Sequence, residues 1–234
     1  MCRSLQQDVL NGTFMPQLAG GPQVAAGVVE GFVGVVGFDL DMTLIDSRPQ
    51  TMAAFAALAA QTGVTIDLDA VNRRLGIKLE DEIAYWFPPE ERAEATDGYR
   101  RHYLTLARET VALPGAAEAL RVVRGNGDTV VIITSKHPVS VGPSLAAAGL
   151  VAAADEVFAH VHGPEKAAVL RELNASAYVG DSPPDVAAAR EAAALAVGVA
   201  TGSFTVQDLY EAGADTVLAD MTEFASWYRA AATS

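Results

Sequence analysis

Cysteine and lysine are the scarce residues: the 234-residue chain has one cysteine, Cys2, and three lysines, Lys78, Lys136 and Lys166. A lone cysteine excludes a disulfide framework within the chain and suits a reducing cytoplasm. Positive charge is sparse altogether, since 16 Lys and Arg stand against 29 Asp and Glu, a formal net charge of -13. A surface that acidic repels phosphate backbones, which argues against nucleic acid as a partner. Long apolar runs are missing too. Residues 24–38 form an apolar run, but Glu30 and several glycines interrupt it. It is also too short to cross a bilayer, so no membrane segment is expected. No continuous apolar stretch follows Arg3, so no secretory signal is expected either. The triplets starting at Asn11 and Asn174 are then chance matches to the glycosylation pattern.

Half of the residues are hydrophobic. That is enough for a sizeable core, and the length suits one large α/β domain or a core carrying an insert. The apolar run 33–38 ends at Asp39 and reads as a parallel strand buried on both faces. Similar runs recur at 129–133, ending at Thr134, at 177–179, ending at Gly180-Asp181, and at 195–199. Helix-like stretches follow at 115–123, 184–194 and 206–212. Alternating strands and helices predict a parallel sheet covered by helices on both faces. Between the first two strands lies a long segment with helical periodicity and no convincing strand. Helices are predicted at 51–61, 71–75, 80–87 and 89–111, too much for a simple crossover. The expected organisation is a loose extension over residues 1–32, an α/β core over 33–47 and 113–234, and a helical cap over 48–112.

Polar residues cluster just after the strands, where open α/β sheets bind ligands. Asp39-Leu40-Asp41-Met42-Thr43 carries two carboxylates two residues apart, which face the same way in an extended segment. Taken alone, the pentapeptide fits a turn or helix-cap cluster as well as a reactive pair. Thr134 adds a hydroxyl, Lys166 a cation at a helix start, and Gly180-Asp181-Ser182-Pro183-Pro184-Asp185 two further carboxylates. Each alone has an ordinary explanation as a cap or a solvated charge. In an acidic chain with an anionic substrate, positive charge has to be gathered locally or supplied by a metal.

With these four motifs in this order, the chain resembles the haloacid dehalogenase superfamily, over roughly residues 33–231. Leu44-Ile45-Asp46-Ser47, Thr134-Ser135-Lys136 and Gly198-Val199-Ala200-Thr201-Gly202 make it most similar to the phosphoglycolate-phosphatase-like branch with a helical cap. Met42 stands where many relatives have glycine, and only a modest local effect is expected. The resemblance implies a Rossmann-like core and a Mg²⁺-dependent phosphomonoester hydrolase acting on a small phosphorylated metabolite. It implies Asp39 as nucleophile, Asp41 as acid and base, and Thr134 and Lys166 as phosphate and charge holders. Mg²⁺ is then expected among Asp39, Asp41 (through its backbone carbonyl), Asp181 and Asp185. Substrate contacts are expected from Thr43, Ser135 and Lys136, and from Gly76 and Lys78 in the cap. Lys78 also fits an exposed lysine at a helix end.

A sugar phosphomutase on the same scaffold is the alternative hardest to separate. A receiver-like signalling domain shares the residue types but is about half this length and lacks a cap. A non-catalytic phosphate binder is the remaining alternative. His160-Val161-His162 reads as a loop or strand edge rather than a metal pair, since no third ligand is near in sequence. Tyr85, Trp86 and Phe87 read as packing. The expected assembly is a monomer or homodimer.

Overall fold

The computed structural model describes residues 34–232. The extension expected over 1–32, with Cys2, lies outside the described residues. Strand β1 (Val35–Phe38) occupies the middle of a six-stranded sheet. Its neighbours are β4 (Thr129–Thr134) on one side and β6 (Ala175–Gly180) on the other. β5 (Glu156–Ala159) forms one edge, while β7 (Leu195–Val199) and β8 (Thr216–Leu218) extend the other. Every pairing in the sheet is parallel. The chain therefore builds outward from β1 to β5, then crosses back and builds the other half. This reversal opens a crevice beyond the carboxyl ends of β4, β1 and β6.

Alternation along the strands feeds two hydrophobic layers. Val130 and Ile132 face one layer, with Val36, Phe38 and Val179. Helix α5 (Ala116–Gly125) closes that layer with Ala116, Ala119, Leu120 and Val123, the i, i+3, i+4, i+7 stripe of an amphipathic helix. Val131 and Ile133 face the other layer, against Leu170 of α7 (Pro164–Glu172) and Val186 and Ala189 of α8 (Pro183–Glu191). Helices α6 (Pro138–Ala147), α9 (Val206–Glu211) and α10 (Phe224–Ala231) complete the two faces. No helix among the described residues is long and apolar enough to cross a membrane.

Four helices stand between β1 and β4 with a core of their own. They are α1 (Arg48–Thr62), α2 (Leu68–Arg73), α3 (Leu79–Trp86) and α4 (Arg92–Leu106). Phe55, Leu58, Ile83, Phe87 and Tyr99 pack together there. The helix expected to run to Val111 stops sooner. A short 3₁₀ turn (Ala107–Glu109) follows α4, and β3 (Val111–Ala112) then pairs antiparallel with β2 (Ile45–Asp46). The segment 48–112 is thus not wholly helical. Thr110 and Val111 are β-branched and favour extended backbone, and Pro114 follows closely. This small ribbon ties the point where the chain leaves the sheet to the point where it returns.

The edge strands β5 and β8 escape sequence reading because they are short and half exposed, so their apolar signal is weak. Strand β6 starts at Ala175, two residues before its expected start.

The return itself depends on Gly115, at the start of α5. Its φ is 86°, and a Cβ there would lie 2.3 Å from the backbone carbon of Met221. Both the left-handed backbone and the close approach require glycine. Gly115→Ala is expected to cost more than about 2 kcal/mol from strain and overpacking. A lowered denaturation midpoint at unchanged slope is the expected reading, and a wild-type midpoint contradicts it.

Candidate active site

β1 delivers Asp39 to its carboxyl end, where the Asp39 backbone N–H still bonds the Val179 carbonyl of β6 at 2.8 Å. The chain then turns sharply. The N–H groups of Leu44 and Ile45 both reach the Leu40 carbonyl, at 2.9 and 3.1 Å, and that of Met42 reaches Ile45 at 2.8 Å. Met42 has φ 61°, a left-handed conformation that glycine adopts without cost. The position therefore suits glycine, and here a buried methionine occupies it. The Thr201 hydroxyl donates to the Met42 carbonyl, fastening this turn to the loop after β7.

The other carboxylates arrive from β6 and α8. Asp181 follows β6 directly, and Asp185 lies in the first turn of α8. Oxygens of Asp39, Asp181 and Asp185, all buried, come within 4.8 Å of one another. Gly202 makes room for this, since a Cβ there would lie 1.9 Å from Asp181 Oδ2. Lys166 sits at the start of α7 and donates to Asp39 Oδ1 and Asp185 Oδ1, each at 2.7 Å. Asp185 Oδ2 accepts from the Ser182 hydroxyl. The Tyr178 hydroxyl lies 2.9 Å from the Ile133 carbonyl and 3.3 Å from Asp185 Oδ1.

Electrostatics follows from this crowding. Burial pushes the Asp39 carboxyl up to about 7, against the pull of Lys166, with Asp185 and Asp41 adding to the push. Burial, then Asp39 and Asp185, hold Asp181 well above the usual carboxylate range. Burial works against the Lys166 ammonium, but Asp185 and Asp39 outweigh it and raise its pKa. The same balance holds at Lys136, where burial is outweighed by Asp41 and Tyr103. Four carboxyl groups, Asp39, Asp41, Asp181 and Asp185, share two ammonium groups, so full ionisation would leave an excess of two negative charges, which the raised Asp39 and Asp181 resist. A hard divalent cation is the species that an all-oxygen set with this excess fits.

A cavity of about 180 Å³ opens onto this cluster, with the sheet on one side and α1 to α4 on the other. Asp39, Asp41, Lys166, Asp181 and Asp185 line it, as do Ser135 and Lys136 from the loop after β4. Gly76 and Lys78, between α2 and α3, line the opposite wall. All three lysines of the chain therefore reach one cavity. Two are engaged, while the exposed side chain of Lys78 makes no hydrogen bond or ion pair among the described residues.

Thr43 and Thr134 do not line the cavity. Thr43 is fully buried and donates to Asp181 Oδ1 at 3.2 Å, so it holds a carboxylate in place. Thr134 is fully buried, and its hydroxyl accepts from the Lys136 N–H at 3.1 Å. Lys136 does not extend freely toward a substrate, because its Nζ donates to Asp41 Oδ1 and to the Tyr103 hydroxyl, both at 2.6 Å.

Sequence reading passes over Arg74 and Tyr103 and sets His162 aside as a loop or strand-edge residue, yet all three line the cavity. Arg74 is held bidentately by buried Glu82, at 2.8 and 2.6 Å. His162 lies in the loop after β5, its ring packed edge-on against His160 with centroids 4.8 Å apart. Burial, His160 and Lys78 keep His162 below the ordinary histidine pKa. The only sequence signal for Tyr103 is its one-turn spacing from Tyr99 on α4.

Comparison with known proteins agrees with this geometry. The family description "haloacid dehalogenase-like hydrolase" matches residues 36–190. A Chromobacterium violaceum protein named phosphoglycolate phosphatase is 30% identical, over 81% of this chain and 91% of its own. IndB of Dickeya dadantii, named a probable phosphatase, is 29% identical over 80% and 89%. Among solved structures, a haloacid dehalogenase-like hydrolase from Streptococcus pneumoniae superposes with a TM-score of 0.74 at 20% identity, covering 84% of this chain and 98% of that one. A Deinococcus radiodurans hydrolase of this family, with bound phosphate and sodium, gives 0.66 at 22% identity, over 85% and 96%. The chain belongs to the haloacid dehalogenase-like hydrolases.

Proposed function

We propose that the protein is a Mg²⁺-dependent phosphatase that hydrolyses a small phosphomonoester through an aspartyl-phosphate on Asp39. One observation carries this reading: Asp39 lies on the wall of a cavity, hydrogen-bonded to buried Lys166 and crowded by Asp181 and Asp185. Phosphatase is also the activity in the names of both curated relatives above.

The Asp39 carboxylate attacks phosphorus, and its new O–P bond forms as the bond to the leaving oxygen breaks. Lys166 uses two of its three donors on Asp39 and Asp185 and has the third for a phosphoryl oxygen. Ser135, just beyond the end of β4, borders the same group. Asp41 gives a proton to the leaving oxygen and later takes one from the water that opens the acyl phosphate. Asp39, Asp181 and the Asp41 carbonyl would hold Mg²⁺, with Asp185 completing the acidic cluster. Bound there, the ion supplies positive charge against the phosphoryl oxygens. Segment 48–112 serves as a cap that closes over the substrate, and 33–47 with 113–234 as the catalytic core. A reducing cytoplasm, consistent with the single cysteine, is the compartment.

A cavity of about 150 Å³ takes a molecule the size of benzene, so one of about 180 Å³ favours a small substrate. The Lys78 side chain, with no hydrogen-bond or ion-pair partner among the described residues, lines the cavity near enough to His162 to influence its charge. A free ammonium there suits a second anionic group, so a short phosphorylated carboxylic acid fits best. Phosphoglycolate, named in the Chromobacterium relative, is the first compound to test.

Asp39→Asn is expected to abolish Mg²⁺-dependent phosphate release, and Asp41→Asn to lower it about a hundredfold or more with the fold intact. Near-normal release by purified Asp39→Asn contradicts the mechanism. Lys78→Ala is expected to raise KM for phosphoglycolate about tenfold while barely changing KM for an uncharged alkyl phosphate, in keeping with the loss of one ionic contact. Equal effects on both compounds contradict the carboxylate reading.

A further inference from the structure

One side chain, Lys136, links the helical insert to Asp41. Lys136 is nearly buried, and its backbone is fixed at both ends. Its N–H donates to Thr134 Oγ1 at 3.1 Å, and its carbonyl accepts from the His160 N–H at 3.0 Å. Its ammonium spans the gap between core and cap. On the core side it donates to Asp41 Oδ1, and on the cap side to the Tyr103 hydroxyl, both at 2.6 Å. The Tyr103 ring lies 4.4 Å from the same nitrogen. Tyr103 is itself fixed, 5% exposed on α4, with its ring 5.8 Å from Tyr99, which packs 4.5 Å from Phe55 of α1.

Asp41 is therefore asymmetric. Lys136 holds Oδ1, while Oδ2 has no hydrogen bond among the described residues and Asp41 lines the cavity. One oxygen is tethered and the other is left to carry a proton. Without Tyr103, Lys136 keeps its charge but loses the contact that fixes its long side chain, and Asp41 loses its fixed orientation. A carboxyl must lie within hydrogen-bond reach of the leaving oxygen to act on it, so small losses of alignment cost rate.

We propose that Tyr103 is a positioning residue that acts through Lys136 to aim Asp41 at the leaving oxygen, so that the helical insert helps set the acid. This rests on the phosphatase reading above. In the step concerned, the Asp39–phosphorus bond forms, the phosphorus–oxygen bond to the leaving group breaks, and the Asp41 proton passes to that oxygen. An alkoxide leaving group needs this proton, whereas acetate or a nitrophenolate does not.

The test compares kcat/KM, which reports the steps up to leaving-group departure, for phosphoglycolate and for acetyl phosphate or p-nitrophenyl phosphate. Tyr103→Phe keeps the ring and removes the hydroxyl. Loss of alignment is expected to lower kcat/KM about tenfold on the alkyl phosphate and less than about twofold on the activated one. Lys136→Gln, which tests the link independently should Tyr103→Phe fold poorly, is expected to show the same selectivity with a larger loss. Equal losses on both compounds assign Tyr103 and Lys136 a merely structural role and overturn the proposal, as does no loss on either. Wild-type protein that hydrolyses neither compound with Mg²⁺ removes the phosphatase reading itself, and the proposal with it.

Discussion

Like charges forced together away from water are the constraint on which the site is built. Asp39, Asp181 and Asp185 bring carboxylate oxygens within 4.8 Å of each other in buried positions, and Asp41 stands beside them. Desolvation and mutual repulsion both oppose their ionised form. Lys166, held by two of them at 2.7 Å, offsets part of that cost, and Lys136 does the same for Asp41. Two ammonium groups cannot balance four carboxyl groups once all are ionised. The remaining demand for positive charge makes the site receptive to a divalent cation and, with it, to a phosphoryl group.

The fold supplies the means to keep such a cluster together. Parallel strands β1, β4 and β6 end side by side, so residues distant in the chain meet without long loops. Glycine at 202 removes the Cβ that would displace Asp181. Thr43, Ser182 and Tyr178 surround the carboxylates with hydroxyl groups that hold their orientation. Two apolar layers on the sheet faces supply the stability that this arrangement consumes, the usual exchange between a strained site and a well-packed scaffold.

Much of this could be read from sequence, because strand ends carry a local signal. An apolar run that stops at Asp39, Thr134 or Asp181 names both the strand and the residue at its rim. The scarcity of lysine gave Lys166 and Lys136 weight before any contact was known. What the sequence conceals is pairing across the gap. Nothing local says that Lys136 meets Asp41 and Tyr103 rather than substrate, since this depends on how α4 lies over the sheet. Arg74 is hidden for the same reason. Thr43 is expected at the substrate from sequence, and the structure turns its hydroxyl to Asp181, because a turn's backbone decides which way that hydroxyl faces. Short strands such as β8, and the β2–β3 ribbon, have too few residues to show a period.

The charge imbalance can be measured directly by titrating Mg²⁺ into the protein by calorimetry at pH 8 and pH 5. With Asp39 pushed up to about 7 and Asp181 also raised, protons compete for the same oxygens as pH falls. The account predicts one ion bound per chain at pH 8, weaker binding with proton release at pH 5, and loss of binding in Asp181→Asn. Absence of binding at pH 8, or binding of equal strength in Asp181→Asn, would contradict it.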